Sequence, residues 1–134
     1  MKLRSLTYTS TASTPLDEDE LGRIHRSCLT LNPLDGVTGI LIYNGRDFLQ
    51  TVEGSEDAIA DLVGRLKIDE RHRDFTIHED EIVDARSFPD WTMALVQVSR
   101  GRFEAGRDVE RALPPTASDT VRALLTRLAG EMAD

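Results

Sequence analysis

Gln50 stands between Phe48 and Val52 in an alternating run, Asp47–Glu53, so its amide shares the apolar face of a strand. A buried amide brings two donors and an acceptor. Leaving it unpaired costs about 1–3 kcal/mol. Two readings follow: an edge position with a solvated amide, or an amide aimed at a polar ligand held between a sheet and its helices. Tyr8 ends an earlier alternating run on the face of Leu6. It reads as a core tyrosine with a wet hydroxyl. Asn32 closes a helical stripe, where a C-cap or turn role is the simple reading. Trp91 and Met93 share one face of a final strand, which in the simplest case is core.

The elements that must position these residues can be read in order. Leu3–Tyr8 alternates and predicts a first strand; Thr9–Pro15 is small, polar and proline-terminated, which predicts a loop. Asp17 with Glu20 forms a capping-box-like helix start, and Leu21, Ile24, Cys28 and Leu31 share one stripe. The helix should stop near Asn32-Pro33, because a residue before proline disfavours the helical region. Val37–Tyr43 is a β-rich run, and Asn44-Gly45 then predicts a hairpin with a type I′ turn into Asp47–Glu53. Ser55 is a plausible N-cap for a helix with Ile59, Leu62, Val63 and Leu66 at amphipathic spacing. Asp69–Asp74 is a charged loop, and Phe75–Val83 and Met93–Val98 are strand candidates.

The order is β-α-β-β-α-β-β, and its first six elements match the ferredoxin-like α+β pattern βαββαβ. Two helices cover one sheet face, leaving the other in need of cover. Residues 99–134 can supply it. There Gly101–Ala105 is a connector, Pro114-Pro115 breaks the chain, and Thr116 with Asp119 caps a last helix striped by Val121, Leu124, Leu125 and Leu128. The expected organisation is one domain over 1–98 and a helical tail over 99–134, with no separate output domain.

Composition narrows the function classes. The chain has 134 residues, 40% of them hydrophobic and 30% charged, as in ordinary globular domains. A net charge of −8 disfavours nucleic acid and anionic membranes as partners. One cysteine excludes an internal disulfide, and no Cys cluster suggests a metal site. No apolar run approaches a membrane span, and no signal-peptide core precedes the first strand. A cytoplasmic location is expected.

Four strings carry a resemblance: Tyr8 in a first strand; Asn32-Pro33-Leu34-Asp35-Gly36-Val37-Thr38-Gly39; Phe48-Leu49-Gln50-Thr51-Val52-Glu53-Gly54; and Phe88-Pro89-Asp90-Trp91-Thr92-Met93. In this order and spacing the chain resembles the BLUF family of blue-light sensors that use FAD, over about residues 2–98. The resemblance implies a flavin ring held without a covalent bond between two helices on a ferredoxin-like sheet. Tyr8 would bond Gln50, and Gln50 would reach the flavin. Asn32 would contact the polar edge of the ring. Ile24 and Leu66 would flank it, Arg65 would meet the sugar-alcohol chain, and Asp69, Arg71 and His72 would lie beside the cofactor, unless they form only a solvated loop. Cys28 stands on the cofactor-facing stripe where serine is usual, and Leu31 where a polar residue is common.

The family mechanism has light drive an electron and a proton from the tyrosine to the flavin; their return leaves the glutamine rotated or tautomerised. The flavin absorption shifts to the red, and the last strand, with Trp91 and Met93, relays the change. The resemblance implies FAD, with FMN or riboflavin able to substitute where the adenine end is exposed. It also implies a protein output partner, a homodimer and no enzyme activity. Two alternatives differ in class. A light-independent flavin-binding redox or adaptor protein is motivated by Cys28 and Leu31. An acylphosphatase-type hydrolase would want glycine and arginine in Thr9–Pro15, which has neither. RNA binding would want basic charge and exposed aromatics.

Overall fold

The computed structural model describes residues 2–14, 16–90, 92–98 and 101–133, with backbone alone for 28–35. Nine elements follow one another: β1 (Leu3–Ala12), α1 (Glu18–Asp35), β2 (Thr38–Tyr43), β3 (Asp47–Gly54), α2 (Glu56–Ile68), β4 (His72–Val83), β5 (Ala94–Gln97), α3 (Arg102–Ala112) and α4 (Asp119–Met132). The strands form one sheet in the order β4-β1-β3-β2-β5. All neighbours are antiparallel except β2 and β5, which are parallel. This is the ferredoxin-like arrangement with one strand added and two helices after it.

Alternation along the strands feeds two cores. Leu6, Tyr8, Leu41, Phe48 and Val52 pack with Leu21 of α1 and with Ile59 and Val63 of α2. Ile40, Ile42 and Leu49 point the other way and pack with Ala105 and Val109 of α3 and with Val121, Leu124, Leu125 and Leu128 of α4. The last four are the stripe expected from the sequence.

The local signals have mixed outcomes. The Asp17 capping box forms, with Glu20 N–H donating to Asp17 Oδ1 at 2.8 Å. Ser55 caps α2, accepting from Ala58 N–H at 3.2 Å. α1, however, passes through Asn32-Pro33 to Asp35. Its stop is Gly36, whose φ of 69° is the left-handed conformation that terminates helices. Only the last turn follows the proline, so the lost N–H breaks little of the helix.

The hairpin is not type I′, which needs positive φ at both Asn44 and Gly45. Among described non-glycine residues only Asp74 has positive φ, so the left-handed position is Gly45 alone, at 97°. Asn44 precedes the turn and accepts from Arg46 N–H and Asp47 N–H through Oδ1.

Three further expectations are corrected. Thr9–Ala12 is strand rather than loop, because Ala12 N–H donates to Arg46 O and Thr11 Oγ1 to Asp47 Oδ1, while β4 pairs from the other side and starts early, at His72. Gly101–Ala105 is not a connector but opens α3. That helix buries only Ala105 and Val109, a stripe too sparse to read. Ser118, not Thr116, caps α4. Thr116 donates instead to Ser87 O at 2.8 Å.

The end of β3 is clasped by the segment before β5. Glu53 is buried, and its two carboxylate oxygens accept from Ser87 N–H and Phe88 N–H at 2.8 and 2.9 Å. The Arg86 guanidinium donates to Thr38 Oγ1, Glu53 O and Gly36 O. Burial pushes the Glu53 carboxyl above its ordinary value, while the two N–H groups and Arg86 pull it back. Glu53→Gln leaves one N–H facing an amide donor and should cost about 1–3 kcal/mol in urea unfolding at neutral pH. The pH linkage has a definite sign. A raised folded value means that Glu53 favours folding most below the unfolded value, and that this share is lost as pH rises through the folded one. Unfolding measured from the carboxyl range to neutrality should show that component in the wild type and not in the variant.

Candidate functional site

A cleft lies between α1 and α2 on the sheet face that carries Tyr8 and Gln50. Its volume is about 270 Å³, at the lower edge of the roughly 300–1,000 Å³ usual for small-molecule sites. Ile24 of α1 and Leu62 and Leu66 of α2 supply apolar walls, with Leu41 and Phe48 from the strands. Arg65, Asp69, Arg71 and His72 line it from the end of α2 into β4.

The β1–β3 register pairs Tyr8 directly with Gln50. Both are buried, at 3% and 4% exposure, and β3 is the central strand, so the solvated-edge reading of Gln50 falls. The Tyr8 hydroxyl donates to Gln50 Oε1 at 2.5 Å. Gln50 Nε2 donates to Met93 Sδ at 3.2 Å. A thioether is a weak acceptor, and an amide has a second N–H and further acceptor capacity. Gln50 therefore borders the cleft with hydrogen-bonding capacity its named partners do not use. Phe75 of β4 holds the Tyr8 ring, centroids 4.7 Å apart.

His72 ties β4 to the rest of the site. Its Nε2 donates to the Leu66 carbonyl at 2.6 Å, and its Nδ1 lies 2.7 Å from Ser10 Oγ. Arg71 donates to both carboxylate oxygens of Asp69. This bonding, with smaller help from the His72 ring, holds the Asp69 carboxyl below its ordinary value against partial burial.

Tyr8, Ile24, Gln50, Arg65, Leu66, Asp69, Arg71 and His72 thus converge on one cleft, with Met93 behind Gln50. Trp91 and the side chains of Cys28 and Asn32 lie outside the described residues. Ser27, Leu41, Phe48 and Leu62 also line the cleft. Phe48 and Leu62 were visible on the right faces. Leu41 was hidden in an unbroken apolar run, where alternation has no contrast. Ser27, three residues after Ile24, carries no distinguishing chemistry.

An apolar slot with a polar amide in its floor and charges at one end suits a flat heterocycle with a polar edge. The family model for sensors of blue-light using FAD matches residues 3–94. The chain belongs to the BLUF family. It is 35% identical over 92 residues to the photoactivated adenylate cyclase subunit beta of Euglena gracilis, a match covering 68% of this chain and 11% of that protein. The chain therefore spans about a tenth of the length of the curated relatives it matches. Among solved structures, the dark-state structure of the BLUF protein BlrB superposes with a TM-score of 0.74 at 33% identity, covering 98% of this chain and 97% of that one. Klebsiella pneumoniae BlrP1 with FMN and cyclic diGMP superposes with a TM-score of 0.74 at 27% identity, over 91% of this chain and 33% of that one.

Among the described residues no group of three or more His, Cys, Asp or Glu could hold a metal ion, and no helix is long and apolar enough to cross a membrane. The Asp69 carboxyl should titrate below the ordinary aspartate range, so the stabilisation its charge provides is lost only as pH falls through that lowered value. Arg71→Ala should bring it back up. Carbon-13 NMR titration of the carboxyl checks both, and an unmoved value in the variant would assign the depression elsewhere.

Proposed function

We propose that this chain is a blue-light photoreceptor that holds a flavin non-covalently in the cleft, with Tyr8 and Gln50 as its light-responsive pair and a protein as its output partner. The observation that carries the reading is the hydrogen-bond chain from the Tyr8 hydroxyl through the Gln50 amide, both on the cleft, to the Met93 sulfur behind them. A bound oxidised flavin would supply absorption of blue light and an acceptor for an electron. Tyr8 supplies that electron, and its phenolic proton already lies on the bond to Gln50 Oε1. Gln50 has an acceptor end and a donor end, so rotation of the amide, or a shift of its proton, reverses hydrogen-bond polarity between Tyr8 and the cleft. Met93 biases this equilibrium. Its sulfur can accept an N–H but has no proton to offer Oε1, which favours the orientation seen here.

Ile24 and Leu66 flank the ring in this reading. Arg65, Asp69, Arg71 and His72 lie along the rest of the cofactor. FAD is the family's cofactor, and FMN or riboflavin would fill the same slot; one structural relative carries FMN.

The domain ends near residue 98. The tail over 99–134 serves both as sheet cover and as the route to a partner or a second copy of the chain. The family match covers residues 3–94, and in this reading the chain acts as a sensor rather than as an enzyme, in the cytoplasm.

An absorption spectrum before and after blue light tests the proposal. The purified protein should be yellow and shift reversibly to the red. Tyr8→Phe and Gln50→Ala should keep the flavin and lose the shift altogether. Bound flavin that stays silent in light would favour the light-independent adaptor instead, and a normal photocycle in either variant would remove that residue from its role.

A further inference from the structure

One polar side chain that neither the sequence motifs nor the cleft includes reaches the relay from behind. His25, the α1 residue next to Ile24, places Nε2 2.7 Å from the Met93 backbone carbonyl. A carbonyl only accepts, so Nε2 carries the proton and donates. Met93 lies immediately before β5, whose pairing with β2 begins at Ala94 opposite Ile40. The imidazole thus tethers the chain at the point where it enters the sheet. The side chain it fixes is the one whose sulfur accepts from Gln50 at 3.2 Å, and Met93 is 2% exposed.

We propose that His25 is a positioning residue. By holding the Met93 carbonyl to α1 it keeps the Met93 sulfur on the Gln50 amide, and so sets how readily Gln50 returns to its resting orientation after light. The first part concerns this chain alone; the effect on recovery rests on the photoreceptor reading above. The sulfur is a weak acceptor and cannot hold Met93 by itself. The charge-independent element of the device is a donor of the right length on α1. Glutamine can present one near the position of Nε2, asparagine is too short, and leucine fills space without donating.

The test uses the full chain with carbon-13 labelled methionine methyls, with Met132, far along α4, as internal reference. In darkness, His25→Leu should displace the Met93 methyl resonance and leave Met132 in place, and His25→Gln should restore it. In light, His25→Leu should slow thermal recovery by about 3–10-fold, the worth of one ordinary hydrogen bond. In a Met93→Ala background the same substitution should change recovery by nothing, because coupled positions are non-additive. If His25→Leu does not fold, the comparison of His25→Gln with His25→Asn decides the same question. An unmoved Met93 methyl, or equal slowing in both backgrounds, overturns the proposal. A wild type with no light response would sink the photoreceptor reading while the methyl resonances still decided the role of His25.

Discussion

The pairing register between β1 and β3 is the constraint on which the rest of the molecule depends. It sets Tyr8 opposite Gln50. Side chains alternate across a sheet with a period of two residues, so a slip of one would face Tyr8 with Leu49 or Thr51 and turn the partner to the opposite face. Contacts to both of its neighbours fix β3 in place: the hairpin and a close glycine against β2, and a threonine pair against β1. At one end the turn at Gly45 sets the β2–β3 hairpin. Near the other, a Cβ at Gly39 would run into the Thr51 carbonyl, so glycine allows β2 to lie close to β3. In between, the Thr7 and Thr51 hydroxyls share a buried hydrogen bond of 2.7 Å on the face opposite the cleft.

Because β3 is central and alternating, one strand serves two purposes. Gln50 faces the cleft between α1 and α2, while Glu53 faces the segment before β5. Ser87 continues that contact, receiving Ser118 N–H on its hydroxyl and Thr116 on its carbonyl. The other end of α4 is tied to the hairpin, where Arg46 and Asn44 both donate to Met132 O. The two ends of β3 are therefore fastened to the two ends of α4. The packed face supplies rigidity, which lets the opposite face leave room between its helices. A polar pair in apolar surroundings keeps its geometry only when the backbone beneath it does not move.

Much of this was legible in the residues themselves. Leu21 and Ile24 on one helix and Ile59, Leu62, Val63 and Leu66 on the other announced two amphipathic helices, and Asp47–Glu53 announced the strand that carries Gln50. What escaped was whatever lacked contrast. Thr9–Ala12 is polar yet extended, because β3 and β4 claim its backbone from both sides. α3 buries two small residues among charges, so its periodicity is faint. Leu41 sits in a run that is apolar at every position. His25 lies outside every motif, and its partner is a backbone carbonyl, which no side-chain pattern records.

The sequence by itself determined the element types around the site, the chemistry of the Tyr8 and Gln50 side chains, and family membership, because these rest on local periodicity and on motifs a few residues long. Tertiary structure alone decided that Gln50 is central and buried, that its amide also reaches Met93, and that α3 joins α4 on the second face. Those facts depend on which strands neighbour one another and on contacts between residues forty or more positions apart. Such contacts form only when the whole chain has buried its apolar faces, so no short stretch of sequence contains them.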